Sequence, residues 1–386
     1  MRGRIRDPFA ALAGVGGIAS VTSALQTRGS LWRLARGFSA KGFAMPHYVG
    51  LDASKATTNI CIVNEAGERV REGVVETEPR AIIGFLRGEG RRYRRVGVES
   101  ISFTPWIYEH LAKAGLPVVC IESRQARSVM KEMRLNKNDR NDARGIAEIM
   151  RAGIYKAVHI KTRASQEIKL VLTSRLHIVR AKRSIENQIR GFLVQFGLKL
   201  EAGRRRTFEA RAGALLKGQG IVAEVVRRSL AVRQMLVGEL RALDATVVRL
   251  AEQDPVCQRL MTAPGIGPLT ALVYRSAVDL PERFTNSRTV GVHFGLTKAS
   301  KKSGRVDPNG RISRIGDKTV RSALVMSAQG ILRSSARPTQ LRDWGLQVRA
   351  ARGGGKAVVA VARRLAVILH RMWVSETDFH DLAISA

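Results

Sequence analysis

The chain has 386 residues, and its 66 lysines and arginines outnumber its 32 aspartates and glutamates, which gives a formal net charge of +34. This length allows two or three domains, and an apolar content of 45% excludes wholesale disorder. So large a positive charge is unlike an ordinary metabolic enzyme and favours a polyanionic partner, either a nucleic acid or an anionic membrane. The three cysteines form no CxxC pair, so neither a zinc module nor a disulfide framework is expected.

Residues 1–44 differ from the rest of the chain. They contain seven Lys/Arg and one acid, Asp7, with a stretch rich in Ala, Gly, Ser and Thr, and Met45 stands directly before the first strand-like segment. We expect an upstream extension or a mis-called start, or else a disordered basic arm. No later segment offers about 20 uninterrupted apolar residues, so no membrane-spanning helix is expected.

Residues 45–160 have the pattern of an α/β domain. Three short apolar runs between residues 48 and 76, joined by short connections, predict an antiparallel meander. A helix, a strand, a second helix and a further strand follow by residue 121. The order β-β-β-α-β-α-β is that of a ribonuclease-H-like domain.

The remainder of the chain is predicted to be helical. Two apolar stripes with a spacing of three to four residues, Ile178 to Phe196 and Leu236 to Leu250, predict two long amphipathic helices over 161–252. A helical hairpin or an intermolecular coiled coil would bury such stripes equally well. We expect a compact domain over 253–335 and an apolar helical tail over 336–386.

Four acids occupy positions that could form one site. Asp52 ends the first strand and Glu99 ends the fourth, and these strands are neighbours in a ribonuclease-H-like sheet. Asp139 and Asp142 share one face of the first turn of a helix. Four clustered carboxylates would require a hard cation, Mg²⁺ or Mn²⁺. Taken singly, however, these residues could be ordinary strand-end acids, a helix N-cap and a dipole-complementing side chain.

A second motif, Pro264 to Pro268, separates two predicted helices and resembles a helix-hairpin-helix turn. Gly265 and Gly267 would let backbone amides approach a phosphate closely. A plain turn between two helices is the alternative interpretation.

A basic, glycine-rich loop follows and contains Ser303. Surrounding cations would favour attack of its hydroxyl on a phosphate, although a loop whose serines only donate hydrogen bonds to a nucleic-acid backbone would have the same composition. The candidate nucleic-acid-binding cations are Lys298, Lys301, Lys302, Arg305, Arg311 and Arg314.

In order and together, these motifs resemble the DEDD-type insertion-sequence transposases related to the Piv invertase, the IS110 family, over about residues 45–375. The motifs that carry the resemblance are VGLD ending at Asp52, VE ending at Glu99, NDRNDA over 138–143, PGIG over 264–267, GLT over 295–297, SG over 303–304, RIS over 311–313 and GD over 316–317. The resemblance implies a RuvC-like N-terminal domain, a coiled-coil arm that mediates oligomerisation, and a C-terminal transposase domain.

The resemblance also implies an activity. Asp52, Glu99, Asp139 and Asp142 would bind metal, and Ser303 would attack DNA to form a phosphoserine intermediate together with the acids of another protomer. Ser300 is a second serine close to that position. The implied partners are the DNA ends and target, a structured guide RNA and further copies of the chain in a dimer or tetramer, at the nucleoid in a bacterial cytoplasm.

Two rival functions remain open from the residues. One is a RuvC-like junction endonuclease, in which metal-activated water attacks the DNA. The other is a non-catalytic basic protein that binds nucleic acid through a degenerate ribonuclease-H-like fold.

Overall fold

The computed structural model describes residues 46–88, 90–132, 139–201, 203, 207–299, 312–333 and 338–380, with the side chains of residues 139 and 140 excepted. The predicted N-terminal extension therefore lies outside the described residues. The chain divides into two compact units, one ending at Ile160 and one beginning at Lys161.

The first unit is built on a five-stranded mixed sheet. The strands are β1 (His47–Ala53), β2 (Thr57–Val63), β3 (Arg69–Glu76), β4 (Tyr93–Glu99) and β5 (Val118–Ile121). Their order in the sheet is β3-β2-β1-β4-β5, with β1 antiparallel to β2 and parallel to β4. The predicted α/β class and the adjacency of the first and fourth strands are confirmed.

Helices cover both faces of this sheet. They are α1 (Pro79–Arg87), α2 (Thr104–Lys113), α3 (Ser123–Glu132) and α4 (Asp139–Ala152). Because side chains alternate along a strand, Val49 and Leu51 pack with α1 and α2 on one face, whereas Tyr48 packs with α3 and α4 on the other. Both faces are buried, which explains the nearly continuous apolar runs of the central strands.

The second unit begins with a helical hairpin. The helices α5 (Arg163–Gln195) and α7 (Gly220–Gln253) pack antiparallel. The short α6 (Phe208–Ala214) packs at the end of the hairpin where α5 ends and α7 begins. Cross-helix ion pairs Arg175–Asp244 and Glu186–Arg233 fix the register. The two long helices are confirmed, and within this chain they pair with each other. Phe196, however, is exposed and lies outside the hairpin core.

The rest of this unit is a helical domain around one large core. Its elements are α8 (Pro255–Met261), α9 (Pro268–Val278), a 3₁₀ turn (Pro281–Arg283), α10 (Arg288–His293), α11 (Lys318–Arg333), α12 (Gln340–Arg352) and α13 (Gly354–Val374). The fully buried Tyr274 donates a hydrogen bond to the carbonyl of Ala366 at 2.6 Å and so joins α9 to α13. Among the described helices, none combines the length and the apolar character needed to span a bilayer.

Candidate active site

Asp52 and Glu99 lie side by side at the ends of adjacent parallel strands. Leu51 of β1 is the register partner of Val98 of β4, so the next residue along each strand is the acid. Adjacent strands are about 4.8 Å apart, and partners at the same register project to the same face. The structure therefore brings these two predicted site residues together.

The acids project toward the face that α4 covers. Gly50 and Gly97, two residues before each acid, are register partners on that face. A Cβ at Gly50 would lie 2.0 Å from the Ala143 carbonyl oxygen, and one at Gly97 would lie 2.6 Å from the Met150 side chain. Two glycines therefore let α4 pack directly on the strand backbones.

The direction of α4 places its first turn at the acidic end of the strands. At the other end of the helix, Arg95 donates a hydrogen bond to the Met150 carbonyl at 2.7 Å, and Arg95 is paired with Tyr48 near the start of β1. The helix therefore runs antiparallel to β1 and β4. Its N-terminal turn, which contains Asp142, lies toward Asp52 and Glu99.

Electrostatic coupling between Glu99 and Asp142 agrees with this arrangement. Burial raises the pKa of the half-buried Glu99 carboxyl above its usual 4.5, and the negative charge of Asp142 raises it further. A hydrogen bond from Ser123 and the positive charge of Arg127 act in the opposite direction. Both of these residues belong to α3, so α3 forms one wall around Glu99.

Asp139 is the first residue of α4, but its side chain lies outside the described part of the structure. Among the side chains that are described, no three carboxylate, imidazole or thiol groups converge into a complete metal site. The described geometry thus contains three of the four predicted acids and juxtaposes them at one end of the sheet.

The predicted serine loop lies largely outside the described residues, which end at 299 and resume at 312. Both flanks are nevertheless defined, because Lys298 and Ile312 form an antiparallel bridge and Ser313 donates its backbone N–H to Thr297 at 2.8 Å. The exposed Arg314 has a positive φ of 56°. The predicted residues that lie outside the described part of the chain are Ser300, Lys301, Lys302, Ser303, Arg305 and Arg311.

Two glycines hold these flanks together. Gly295 has φ +66° and a Cβ there would lie 2.3 Å from the Ile315 carbonyl oxygen, while Gly316 has φ +84° and a Cβ there would lie 2.1 Å from the His293 carbonyl oxygen. Each glycine thus admits the opposite flank at a distance that no side chain permits. The ends of the serine loop are fixed on the helical domain.

The predicted Gly265 and Gly267 lie in the turn between α8 and α9. Gly265 has φ +72°, and a Cβ there would approach the Ser327 carbonyl of α11 to 3.1 Å. Gly267 is the N-cap of α9, and its Cβ position is open, with nothing within 4 Å. Gly265 therefore has a structural reason to be glycine, whereas Gly267 leaves an open surface at a helix start.

Sequence reasoning did not identify Ser123 and Arg127. Both lie in a polar helix that buries only Ala126 and Met130 and so has little apolar signal. The available signal is their place in the chain: α3 begins two residues after the end of β5, and the ends of other strands had already been considered as sites for acids.

Comparison with known proteins agrees with the geometry. A family model for the DEDD transposases of the IS110 type matches residues 49–197, and a model for the IS116/IS110/IS902 transposase family matches residues 257–342. The first match begins in β1 and includes all four predicted acids.

Several curated transposases are similar along most of their length. The transposase for insertion sequence element IS1111A of Coxiella burnetii is 28% identical over 336 residues, which covers 83% of this chain and 88% of that protein. A probable family 20 transposase of Pseudomonas aeruginosa is 28% identical over a region that covers 63% of this chain and 74% of that protein. The transposase for IS1328 of Yersinia enterocolitica is 25% identical and covers 73% and 84%.

These family matches and relatives, with which the mixed sheet is consistent, identify the protein as a DNA transposase. More specifically, the chain belongs to the IS110 family of DEDD insertion-sequence transposases.

Proposed function

We propose that this transposase cleaves and rejoins DNA in a metal-dependent reaction in which Ser303 is the nucleophile. The observation that carries the proposal is the juxtaposition of Asp52 and Glu99 on neighbouring strands, under the helix turn that contains Asp142. A second support is the close approach of the two loop flanks at Gly295 and Gly316, which fixes both ends of the serine-containing loop.

The acids fit a divalent cation. Asp52, Glu99, Asp139 and Asp142 offer only oxygen donors, which suits Mg²⁺ or Mn²⁺. The raised pKa of Glu99 reflects burial first and the charge of Asp142 second, and a cation would offset both effects. When bound, such an ion supplies charge neutralisation at the reacting phosphate.

The proposed step conserves phosphodiester bonds. The Ser303 oxygen forms a bond to a DNA phosphorus and gives up its proton, while the bond from phosphorus to the leaving strand oxygen breaks and that oxygen takes up a proton. The strand is then held as a phosphoserine ester. Attack by a hydroxyl of another DNA end forms the new phosphodiester and returns the proton to serine, so no external energy source is needed.

Several cations are proposed to hold the DNA backbone during this step. Lys298 and Arg314 are exposed at the base of the serine loop, and Lys301, Lys302, Arg305 and Arg311 belong to the loop itself. Gly265 and Gly267 are proposed to bring the start of α9 to the backbone, and the open space at Gly267 supports that role for this residue.

Oligomerisation and RNA guidance are further parts of the proposal. Val225, Val232 and Met235 are 42%, 42% and 61% exposed and share one face of α7. We propose that this face meets a second copy, in a dimer or tetramer, so that Ser303 acts with the acids of another protomer.

The net charge of +34 supports a structured guide RNA as an additional polyanion, bound together with DNA at the nucleoid.

A trapping experiment tests the serine assignment. Full-length protein is incubated with Mg²⁺ and a nicked DNA substrate containing the element end, and covalent protein–DNA adducts are counted on denaturing gels. We expect adducts with the native chain and with Ser300→Ala, and none with Ser303→Ala, Asp52→Asn or Glu99→Gln. Ser300→Ala is the matched control because it removes the other nearby hydroxyl.

The outcomes separate the rival functions. Cleavage by Ser303→Ala that is lost in Asp52→Asn would indicate a nuclease that activates water. Unchanged DNA binding with no cleavage by any form, including the native chain with its flanking non-coding RNA, would indicate a binding protein. Adducts that persist in Ser303→Ala but vanish in Ser300→Ala would move the nucleophile to Ser300.

A further inference from the structure

Within the second unit, a groove lies between the hairpin and the helical domain. Its volume is about 940 Å³, and α5 and α7 form one wall while α9 and α11 form the other. Leu172 of α5 and Val273 of α9 meet in the core beneath it. The groove is thus walled on both sides by helices of the same unit.

The hairpin wall of the groove is cationic. Five basic residues line it, together with two acids, Glu186 and Asp244. Each acid is already neutralised, Glu186 by Arg233 at 2.8 Å and Asp244 by Arg175 at 2.5 Å. The basic lining residues are Arg175, Lys182, Arg183, Arg190 and Arg211.

Two of these cations have no acidic partner. In the described part of the chain, neither Arg183 nor Arg190 forms an ion pair, and both are exposed. Arg190 is held in place by a hydrogen bond to Asn187 at 3.3 Å and by stacking 5.1 Å above the Phe208 ring. The groove thus presents uncompensated positive charge, which a polyanion would neutralise.

The opposite wall offers hydroxyls and apolar surface. Thr270, Thr319 and Ser322 line it, and the side chain of Met326 is 70% exposed there. Thr270 lies in the first turn of α9, directly after the Pro264–Pro268 turn, and Thr319 lies in the first turn of α11, which follows the serine loop along the chain. The groove therefore borders the first turns of the two helices that follow the segments proposed to contact DNA.

We propose that this groove binds a single strand of DNA and guides it from the hairpin to the first turns of α9 and α11. Phosphates would pair with Arg183 and Arg190, and unstacked bases would contact the apolar side chains. A second copy of the chain is disfavoured as the occupant, since it carries the same charge of +34. The inference rests on the proposed function for the identity of the strand, but its test needs neither Ser303 nor metal.

The first test measures salt-dependent binding. Full-length Arg183→Gln/Arg190→Gln and the control Arg180→Gln/Arg227→Gln remove the same charge from exposed positions on the hairpin, and only the first pair lines the groove. For a single-stranded oligodeoxynucleotide without metal, the groove variant should reduce the slope of log K against log salt by roughly 1.4, at about 0.7 per phosphate contact. The control should reduce it by much less, and equal reductions would overturn the proposal.

The second test places the strand. The three native cysteines are all buried, so a cysteine introduced by Ser322→Cys can be targeted with an oligodeoxynucleotide carrying a thiol-reactive tether on one phosphate. The matched control is Gln329→Cys, exposed on the same helix but outside the groove lining. We expect cross-linking at Ser322→Cys to exceed that at Gln329→Cys by at least about tenfold.

Defined outcomes would overturn the assignment. Equal cross-linking at the two positions would place the strand elsewhere. Tighter binding and stronger cross-linking by an RNA oligonucleotide of the same sequence would assign the groove to RNA, and competition by an acidic peptide alone would assign it to protein. If strand binding is as expected while Ser303→Ala still forms DNA adducts, the groove proposal stands and the serine proposal fails.

Discussion

Gly50 and Gly97 are register partners on β1 and β4, and each lacks the side chain that would collide with α4. The pair sets the height of the helix above the sheet. Because Asp52 and Glu99 follow two residues later on the same face, the same approach sets the distance from the first turn of α4 to both acids. The glycines are thus a structural condition for the candidate active site.

Substitution at Gly50 should therefore impair both folding and chemistry. In Gly50→Ala, the new Cβ would meet two backbone atoms, the Ala143 oxygen at 2.0 Å and the Ala147 nitrogen at 2.4 Å, so the helix must move. Overpacking of this kind costs roughly 1–3 kcal/mol of unfolding free energy. We expect urea denaturation to show this loss, and DNA cleavage by the remaining folded protein to fall as well.

Alanine substitutions at two other glycines, Gly97 and Gly84, provide the comparison for Gly50→Ala. Gly97→Ala would meet the side chains of Met150 and Ile146, which can yield in part, so the loss should be smaller than at Gly50. Gly84→Ala, in α1 with nothing within 4 Å, should raise stability by roughly 0.5–1 kcal/mol. Equal effects at Gly50 and Gly84 would contradict the close-packing account.

The pKa of Glu99 predicts a pH-dependent difference in stability. Burial first and Asp142 second raise this pKa above 4.5. The stability contribution of the protonated carboxyl is present in full below about 4.5 and is lost as the pH rises through the raised pKa. Without metal, Glu99→Gln should therefore be more stable than the native chain at pH 7 to 8, and the difference should shrink toward pH 4.

Added Mg²⁺ should reverse that order. An ion bound by the acids stabilises the folded state by mass action, so the melting temperature of the native chain should rise with Mg²⁺ more than that of Glu99→Gln. Glu109→Gln, which removes a surface carboxylate paired with Lys113, is the control and should respond like the native chain. An identical Mg²⁺ response in all three proteins would exclude Glu99 as a ligand.

The sequence was sufficient to predict the sheet because its cause is local. The apolar segment that contains Val49 and Leu51 lies between turn-forming residues, so the strand can be recognised from its own sequence. The acid at the end of a strand can likewise be located without knowing which strand lies beside it. The positions of the long helices followed in the same way from their apolar periodicity. The turn between α8 and α9 was evident from its Pro and Gly residues.

What the sequence could not provide depends on contacts between distant segments. Lys182, Glu186 and Arg233 are charged residues that would be placed on a solvated face, yet all three are buried where α5 meets α7. Their burial is possible only because each meets an opposite charge across or along the hairpin. Likewise, the collision that explains Gly50 involves a helix more than 90 residues away.

Lys161 should give the second unit an unusual alkaline stability profile. Burial first and Lys169 second lower its pKa to about 8, while its ammonium group donates a hydrogen bond to the Ser276 carbonyl at 2.7 Å. Between about pH 8 and 10.5 the unfolded chain binds more protons here than the folded chain, so this group raises stability as the pH rises. In Lys161→Met, this pH-dependent increase in the unfolding free energy should be absent.

The comparison is made by urea denaturation at pH 7 and pH 10. The difference in unfolding free energy between Lys161→Met and the native chain should change by at most about 3 kcal/mol, in favour of the native chain at the higher pH. Lys217→Met, at an exposed lysine of the same unit, is the control and should show little change. A difference independent of pH would contradict the lowered pKa.

Arg233 should be among the most sensitive positions of the hairpin. Its side chain is only 3% exposed and donates to Glu186 at 2.9 Å and also to Glu209. In Arg233→Met, Glu186 loses its principal partner in a buried setting, and breaking such a pair costs roughly 3–5 kcal/mol of unfolding free energy. Arg228→Met, which breaks the exposed pair with Glu224 on the same helix, should cost less than about 1 kcal/mol. Urea denaturation of both variants measures these losses. Similar losses in Arg233→Met and Arg228→Met would show that the buried cluster does not determine the stability of the hairpin.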